Sequence, residues 1–234
     1  MTAEPTPLHP TTGPPTGPDG PTERTRFTRK VDRGSHDRDA AAAILDEALV
    51  GHLGFADATG APMVLPVGIA RDGNRVLIHG STGSRLLRAV ADGGPVCLTV
   101  TLLDALVLAR SASETSMNYR SVVILGRATE VTGPDKERAL AVITDHLTPG
   151  RWDLQRPMTR KELAAVMVVA LPLEELSVKA RSGGTIEPPE DQSWPIWAGQ
   201  VPLRLMAGAP VPEPEVPVGL APTALPQGVS GWAP

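Results

Sequence analysis

VGHLGFADATGAPMVLPVGIARDGNRVLIHGSTGSRLL, residues 50–87, holds three short apolar segments and two turns before it reaches a helix. Val50–Ala56 has strand composition and is closed by the turn residues Asp57, Thr59 and Gly60. Met63–Ala70 forms the second strand, and Arg71-Asp72-Gly73-Asn74 is a hairpin turn in which Gly73 supplies a positive φ. Arg75–His79 pairs back as the third strand. The chain then passes through Gly80, Ser81, Thr82, Gly83 and Ser84, and Arg85 opens a helix over Ser84–Ala91 that Gly93-Gly94 ends. Backbone N–H groups, hydroxyls and a permanently charged guanidinium in one turn form a recipe for holding a phosphate.

Outward from this stretch the apolar spacing predicts a helix over Asp37–Leu49 and a second over Pro134–Leu147, the latter opened by Pro134, Asp135 and Glu137. Pro95–Arg110 and Arg120–Val131 are longer strands rich in Val, Leu and Ile. Trp152–Pro157 is a loop, Thr159–Glu162 a helical turn, and Val166–Leu171 and Leu176–Arg181 are the last strands, separated by Pro172. Strand follows strand more often than helix, so the expected fold is mainly β with flanking helices, a mostly antiparallel sheet or barrel.

Of the 25 prolines, seven lie in residues 1–22 and eleven in 185–234, which divides the 234-residue chain into three parts. Residues 1–32 are expected to be a disordered Pro-rich arm, 33–183 a single domain, and 184–234 a Pro-rich tail. A net charge of −4 argues against nucleic acid or an anionic membrane as partner. The basic cluster Arg24, Arg26, Arg29, Lys30 and Arg33 is a solvated arm on this reading. No apolar run is long enough for a membrane span, and no secretory signal is expected at the N-terminus. The single cysteine, Cys97, fits a reducing cytoplasm and a core position. No Cys or His pair has metal-site spacing.

The segments quoted above, followed by PVCLTVTLLD and YRSVVILGRATEV, resemble the pyridoxamine 5'-phosphate oxidase-like flavin-binding proteins. Within that family the similarity is to the branch that includes nitroimidazole-resistance reductases. It covers about residues 33–183, and the motifs occur in the family's order. The resemblance implies a six-stranded antiparallel split β-barrel that forms a homodimer and holds FMN in clefts between the subunits.

It also implies roles for individual residues. Ser84 and Arg85, with Ser81 and Thr82, match the positions that hold the flavin phosphate. Arg120 and Ser121 stand where the oxidases carry an arginine and a glutamine facing the cofactor, and Pro66 lies in the strand whose backbone lines the flavin ring. His79 matches a histidine associated with the active site of the nitroimidazole-reductase branch. An imidazole there can give or take the proton that accompanies hydride transfer. His52, flanked by Gly51 and Gly54, is a second candidate, since the glycines permit close approach of a ligand.

The Arg-Leu-His motif with which true pyridoxamine-phosphate oxidases grip their substrate has no counterpart here, so vitamin-B6 oxidation is not expected. Trp194 and Trp197 in the tail can cover a cleft or a partner subunit, or simply lie on the surface. The leading expectation is a cytoplasmic FMN-dependent oxidoreductase acting on a small organic substrate, nitro-aromatics being one class it would accept. The alternatives are a non-catalytic flavin carrier or sensor, or the same barrel with deazaflavin F420 or haem. For haem, His52, His79 and His146 are the domain histidines available as axial ligands.

Overall fold

The computed structural model describes residues 22–222 and 224–231. Most of the expected N-terminal arm, residues 1–21, lies outside the described residues. From residue 22 onward the chain makes defined contacts: Thr22 and the guanidinium of Arg24 both donate to the carboxylate of Glu175.

Nine main strands and four helices carry the architecture. The strands are β1 (Val50–Ala56), β2 (Pro62–Gly68), β3 (Ala70–Asp72), β4 (Arg75–Ser81), β5 (Pro95–Leu108), β6 (Ser116–Arg127), β7 (Val166–Pro172), β8 (Glu175–Arg181) and β9 (Gly199–Pro202). The helices are α1 (Arg38–Glu47), α2 (Arg85–Ala91), α3 (Pro134–Leu147) and α4 (Arg160–Ala165). The larger sheet runs Gly34–Ser35, β8, β6, β5, β1, β2, and the smaller runs β3, β4, β7, Thr129–Glu130, with every neighbouring pair antiparallel. This is the mainly β, antiparallel fold expected from the sequence.

Two chain segments pass from one sheet to the other at buried corners. One turns at Ile69 between β2 and β3, the other at Ala128 between β6 and Thr129–Glu130, and both corner residues are buried. Such bends let a strand serve two sheets and split what the sequence pattern presents as single strands over Met63–Ala70 and Arg120–Val131. Pro66 lies on β2, an edge of the larger sheet, where a missing N–H costs no ladder bond to a further strand.

The period-2 alternation of β4 and β7 is buried on both faces. Val76 and Ile78 of β4, with Val169 and Leu171 of β7, join the core that also takes Ala41, Ile44 and Leu45 of α1 and Leu87 and Val90 of α2. Leu77, Val168 and Ala170 face the other way, onto Ala139, Leu140 and Ile143 of α3. Each large aliphatic side chain so buried contributes about 1.5–3 kcal/mol.

Gly51 of β1 is needed for this packing. A Cβ there would stand 2.8 Å from Leu98 Cδ1 and 3.3 Å from Val100 Cγ2, so the close approach is made by core side chains. Cys97 is half-buried rather than in the core, because the inward positions of β5 fall on Val96, Leu98 and Val100.

A ring of alternating charges docks α3 on the β3–β4 hairpin. Arg75 donates to Asp72 and Asp135, each at 2.8 Å. Arg138 donates to Asp72 at 2.7 and 3.0 Å and to Asp135 at 2.9 Å. No helix among the described residues is long and apolar enough to cross a membrane.

Candidate cofactor site

The turn after β4 is held by its own hydrogen bonds. Thr82 N–H donates to Ala165 O at 3.0 Å, which ties the turn to the end of α4. Gly83 N–H donates to Ser81 Oγ at 3.1 Å, and Ser84 N–H to Ser81 O at 2.9 Å. Three amides that the sequence offers to a phosphate are therefore already spent. Ser84 Oγ accepts from Leu87 N–H at 3.3 Å, so Ser84 is the N-cap of α2. The Thr82 hydroxyl donates to Ala165 O at 3.3 Å.

Arg85 is exposed and makes no hydrogen bond or ion pair among the described residues. Its charge acts on Asp57. That carboxyl is held below its usual range chiefly by the Thr59 side chain and the Thr59 and Ala61 amides, with Arg85 adding a smaller electrostatic effect.

His79 stands opposite Val168 of β7 and immediately before this turn. Its ring reaches solvent, yet the surrounding protein desolvates it enough to push its pKa below the ordinary imidazole value. The neutral ring is therefore favoured. The rings of His79 and His52 have no hydrogen-bond partner among the described residues, whereas His36 Nε2 lies 2.9 Å from Thr25 O and His146 Nε2 lies 2.8 Å from Ala48 O. Hydrogen bonding thus separates the four described histidines into two that are anchored and two that are free.

The other candidates fall elsewhere in the chain. His52 is paired with Pro66 across β1 and β2 and with Thr99 across β1 and β5. Ser121 donates its hydroxyl to Lys179 O at 3.1 Å. Arg120 is half-buried between two carboxylates, donating to Glu47 at 2.5 and 2.9 Å and to Asp104 at 2.7 Å, and this pairing pushes its pKa up. Within one chain the structure groups His79, Ser81, Thr82, Ser84 and Arg85 at the β4–α2 turn, and His52 with Pro66 on the larger sheet. Arg120 stands apart, beside a cavity of about 300 Å³ between α1 and β8.

Sequence reasoning missed the polar groups at the end of β8. Arg181 is only 7% exposed; it donates to Asn118 Oδ1 and, at 2.9 Å, to Gly184 O. Asn118 in turn donates to Gln200 Oε1 at 2.6 Å. An arginine closing an apolar strand gives no local sign that it will be buried. Trp194 and Trp197 are both well exposed, and β9 beyond them pairs with the far half of β5.

A protein-family model described as pyridoxamine 5'-phosphate oxidase matches residues 37–180. The flavocytochrome Anf3 from Azotobacter vinelandii is 37% identical, with a TM-score of 0.80 over 88% of this chain and 95% of that one. An FAD- and haem-binding protein from Mycobacterium smegmatis is also 37% identical, with a TM-score of 0.78 over 82% of this chain and 95% of that one. A candidate 5-nitroimidazole antibiotic resistance protein from Bacteroides thetaiotaomicron shares the fold at 20% identity, with a TM-score of 0.54 over 62% of this chain and 85% of that one. No curated protein sequence is significantly similar to the chain.

Proposed function

The chain belongs to the pyridoxamine 5'-phosphate oxidase-like family of flavin-binding split barrels, and from that premise we propose that it is a redox protein carrying both a flavin nucleotide and a haem. The observation that carries this reading is the 37% identity to a flavocytochrome and to an FAD- and haem-binding protein, over at least 82% of the chain in each case. The exposed rings of His52 and His79 support it, because a haem ligand must present the lone pair of a ring nitrogen to the iron.

Bound flavin supplies hydride and one-electron chemistry, and haem supplies one-electron exchange. The residues of the chain bind and orient. The exposed Arg85 guanidinium and the Ser81 hydroxyl would hold the flavin phosphate, with Thr82 and Ser84 fixing the turn. His79, adjoining that turn and held neutral, would exchange a proton at the flavin ring or ligate iron, and His52 is the other free imidazole for the metal. Arg120 joins the site in this proposal only by exchanging a carboxylate for the cofactor. In this proposal the flavin, FMN or FAD, would be shared by two copies of the chain, and the working unit would be a homodimer in the cytoplasm.

The test is the visible spectrum of protein produced with iron and a haem precursor supplied, followed by mass spectrometry of the released groups. Both a flavin pattern and a haem Soret band are expected. A flavin spectrum without haem, accompanied by turnover of nitro-aromatic substrates, returns the protein to the flavin-only reductase reading. A colourless protein that takes up neither group refutes both.

A further inference from the structure

We propose that the cavity between α1 and the end of β8 binds a small organic carboxylate, with Arg33 and Arg181 gripping the carboxylate and an aliphatic wall receiving the rest of the molecule. The cavity measures about 300 Å³, the low end of the range for small-molecule sites. Ala43 and Ile44 of α1 and Val178 of β8 form its apolar wall, while Arg33, Arg181 and Ser35, with the carboxylates of Asp32 and Asp37, contribute polar lining.

Arg181 has no carboxylate partner among the described residues. Arg181 is almost wholly buried, and its hydrogen bonds go to uncharged acceptors only: Asn118 Oδ1, Gly183 O at 3.4 Å and Gly184 O at 2.9 Å. Those acceptors do not exhaust the five N–H groups of a guanidinium. Arg33 and Arg181 both line the cavity, and burial first, then the charge of Arg33, push the pKa of Arg181 down, with Tyr119 acting the other way. Arg33 has one acidic neighbour, Asp32, at 4.0 Å, and that carboxylate is 75% exposed.

The other charged groups at the cavity are committed. Arg120 is held by Glu47 and Asp104, and Asp37 caps α1 by accepting from Asp39 N–H at 2.9 Å. Buried charges are ordinarily paired, and an anion at this end would meet both guanidiniums at once. The aliphatic wall selects an anion with a short apolar body over inorganic phosphate, whose four oxygens would leave that wall facing polar atoms. Arg33 and Arg181, which carry the inference, belong to neither the flavin nor the haem set proposed above; Arg120, which also lines the cavity, takes no part in gripping the carboxylate.

Titration calorimetry of the full chain with isovalerate, its neutral amide and inorganic phosphate tests the site. Isovalerate is expected to bind, with the amide and phosphate at least about tenfold weaker. Arg33→Gln should weaken isovalerate binding about tenfold, and Ala43→Phe, which fills the cavity from an exposed helix position, should abolish it. Both variants should keep the unfolding midpoint and circular dichroism of the parent protein. No binding of isovalerate, equal binding of the amide, a preference for phosphate, or indifference to Arg33→Gln would each overturn the proposal.

Discussion

Arg120 and Glu47 meet fork to fork: Nη1 donates to Oε2 at 2.5 Å and Nη2 to Oε1 at 2.9 Å, while Nη2 also reaches Asp104 at 2.7 Å. One guanidinium thus joins α1, β6 and the irregular point of β5. Replacing Arg120 by Met leaves two carboxylates facing each other without a cation. Because all three groups keep partial contact with water, the expected loss is about 1–3 kcal/mol in urea unfolding at pH 7. Adding Glu47→Gln should recover part of it. If Arg120→Met instead keeps full stability and loses flavin, the residue serves the cofactor rather than the fold.

Acid sensitivity should concentrate at the ring that docks α3. Arg138 first, and then Arg75, hold the Asp72 carboxyl at about 2 against an ordinary 3.8. Its folded pKa lies below its unfolded one, so its contribution is complete above 3.8 and is lost as pH falls through about 2. Asp72→Asn should cost about 1–2 kcal/mol at neutral pH. The gap between variant and parent should close over that same acid window, as read from urea midpoints. A gap that persists unchanged at the acid end would refute this assignment.

The exposure of His52 and His79, against the half-buried His36 and His146, gives a sharper test of haem binding. His52→Ala or His79→Ala should lower haem content by about 10–100-fold, whereas His36→Ala and His146→Ala should leave it within about twofold. Haem content is measured as the pyridine haemochrome. Equal losses in all four variants would mean that fold damage, not ligation, removes the haem. His79 should also titrate below the ordinary imidazole value by NMR, since burial disfavours its charged form.

Ser84 and Arg85 are neighbours with separable work. Ser84→Ala removes the cap on Leu87 N–H and should destabilise the protein by about 1 kcal/mol. Arg85→Gln breaks no contact among the described residues, so stability should change by less than about 0.5 kcal/mol. Flavin affinity should nonetheless fall about tenfold, as followed by fluorescence quenching of the free flavin. Unchanged affinity would place the flavin phosphate elsewhere.

Elements whose signals are local were legible. Pro134–Leu147 is helical over the expected span, and Gly73 takes its positive φ of 60° in the hairpin. The bends at Ile69 and Ala128 were not legible, because an apolar residue at a corner looks like any other strand residue. The turn at Ser84 shows a different limit. One hydroxyl at the head of a helix can cap it or hold an anion, and the residue type is the same for both. Arg120 is harder still, since Glu47 lies 73 residues away in sequence and Asp104 lies 16 away. Charges that meet only in the folded chain leave no spacing to read.

β5 shares one edge between two partners, with residues 96–99 paired to β1 and residues 105–108 paired to β9 near the C-terminus. The register slips between Leu103 and Ala105, and beyond the slip Ala105 and Val107 are buried while Leu106 is 38% exposed. Remove Gly199–Pro202 and four residues of that edge lose their ladder partners beside an aliphatic surface. Such an edge invites strands from other molecules. β9 therefore guards this edge against strand pairing with other molecules, and a chain cut after Arg181 would retain its interior yet expose a seam for aggregation.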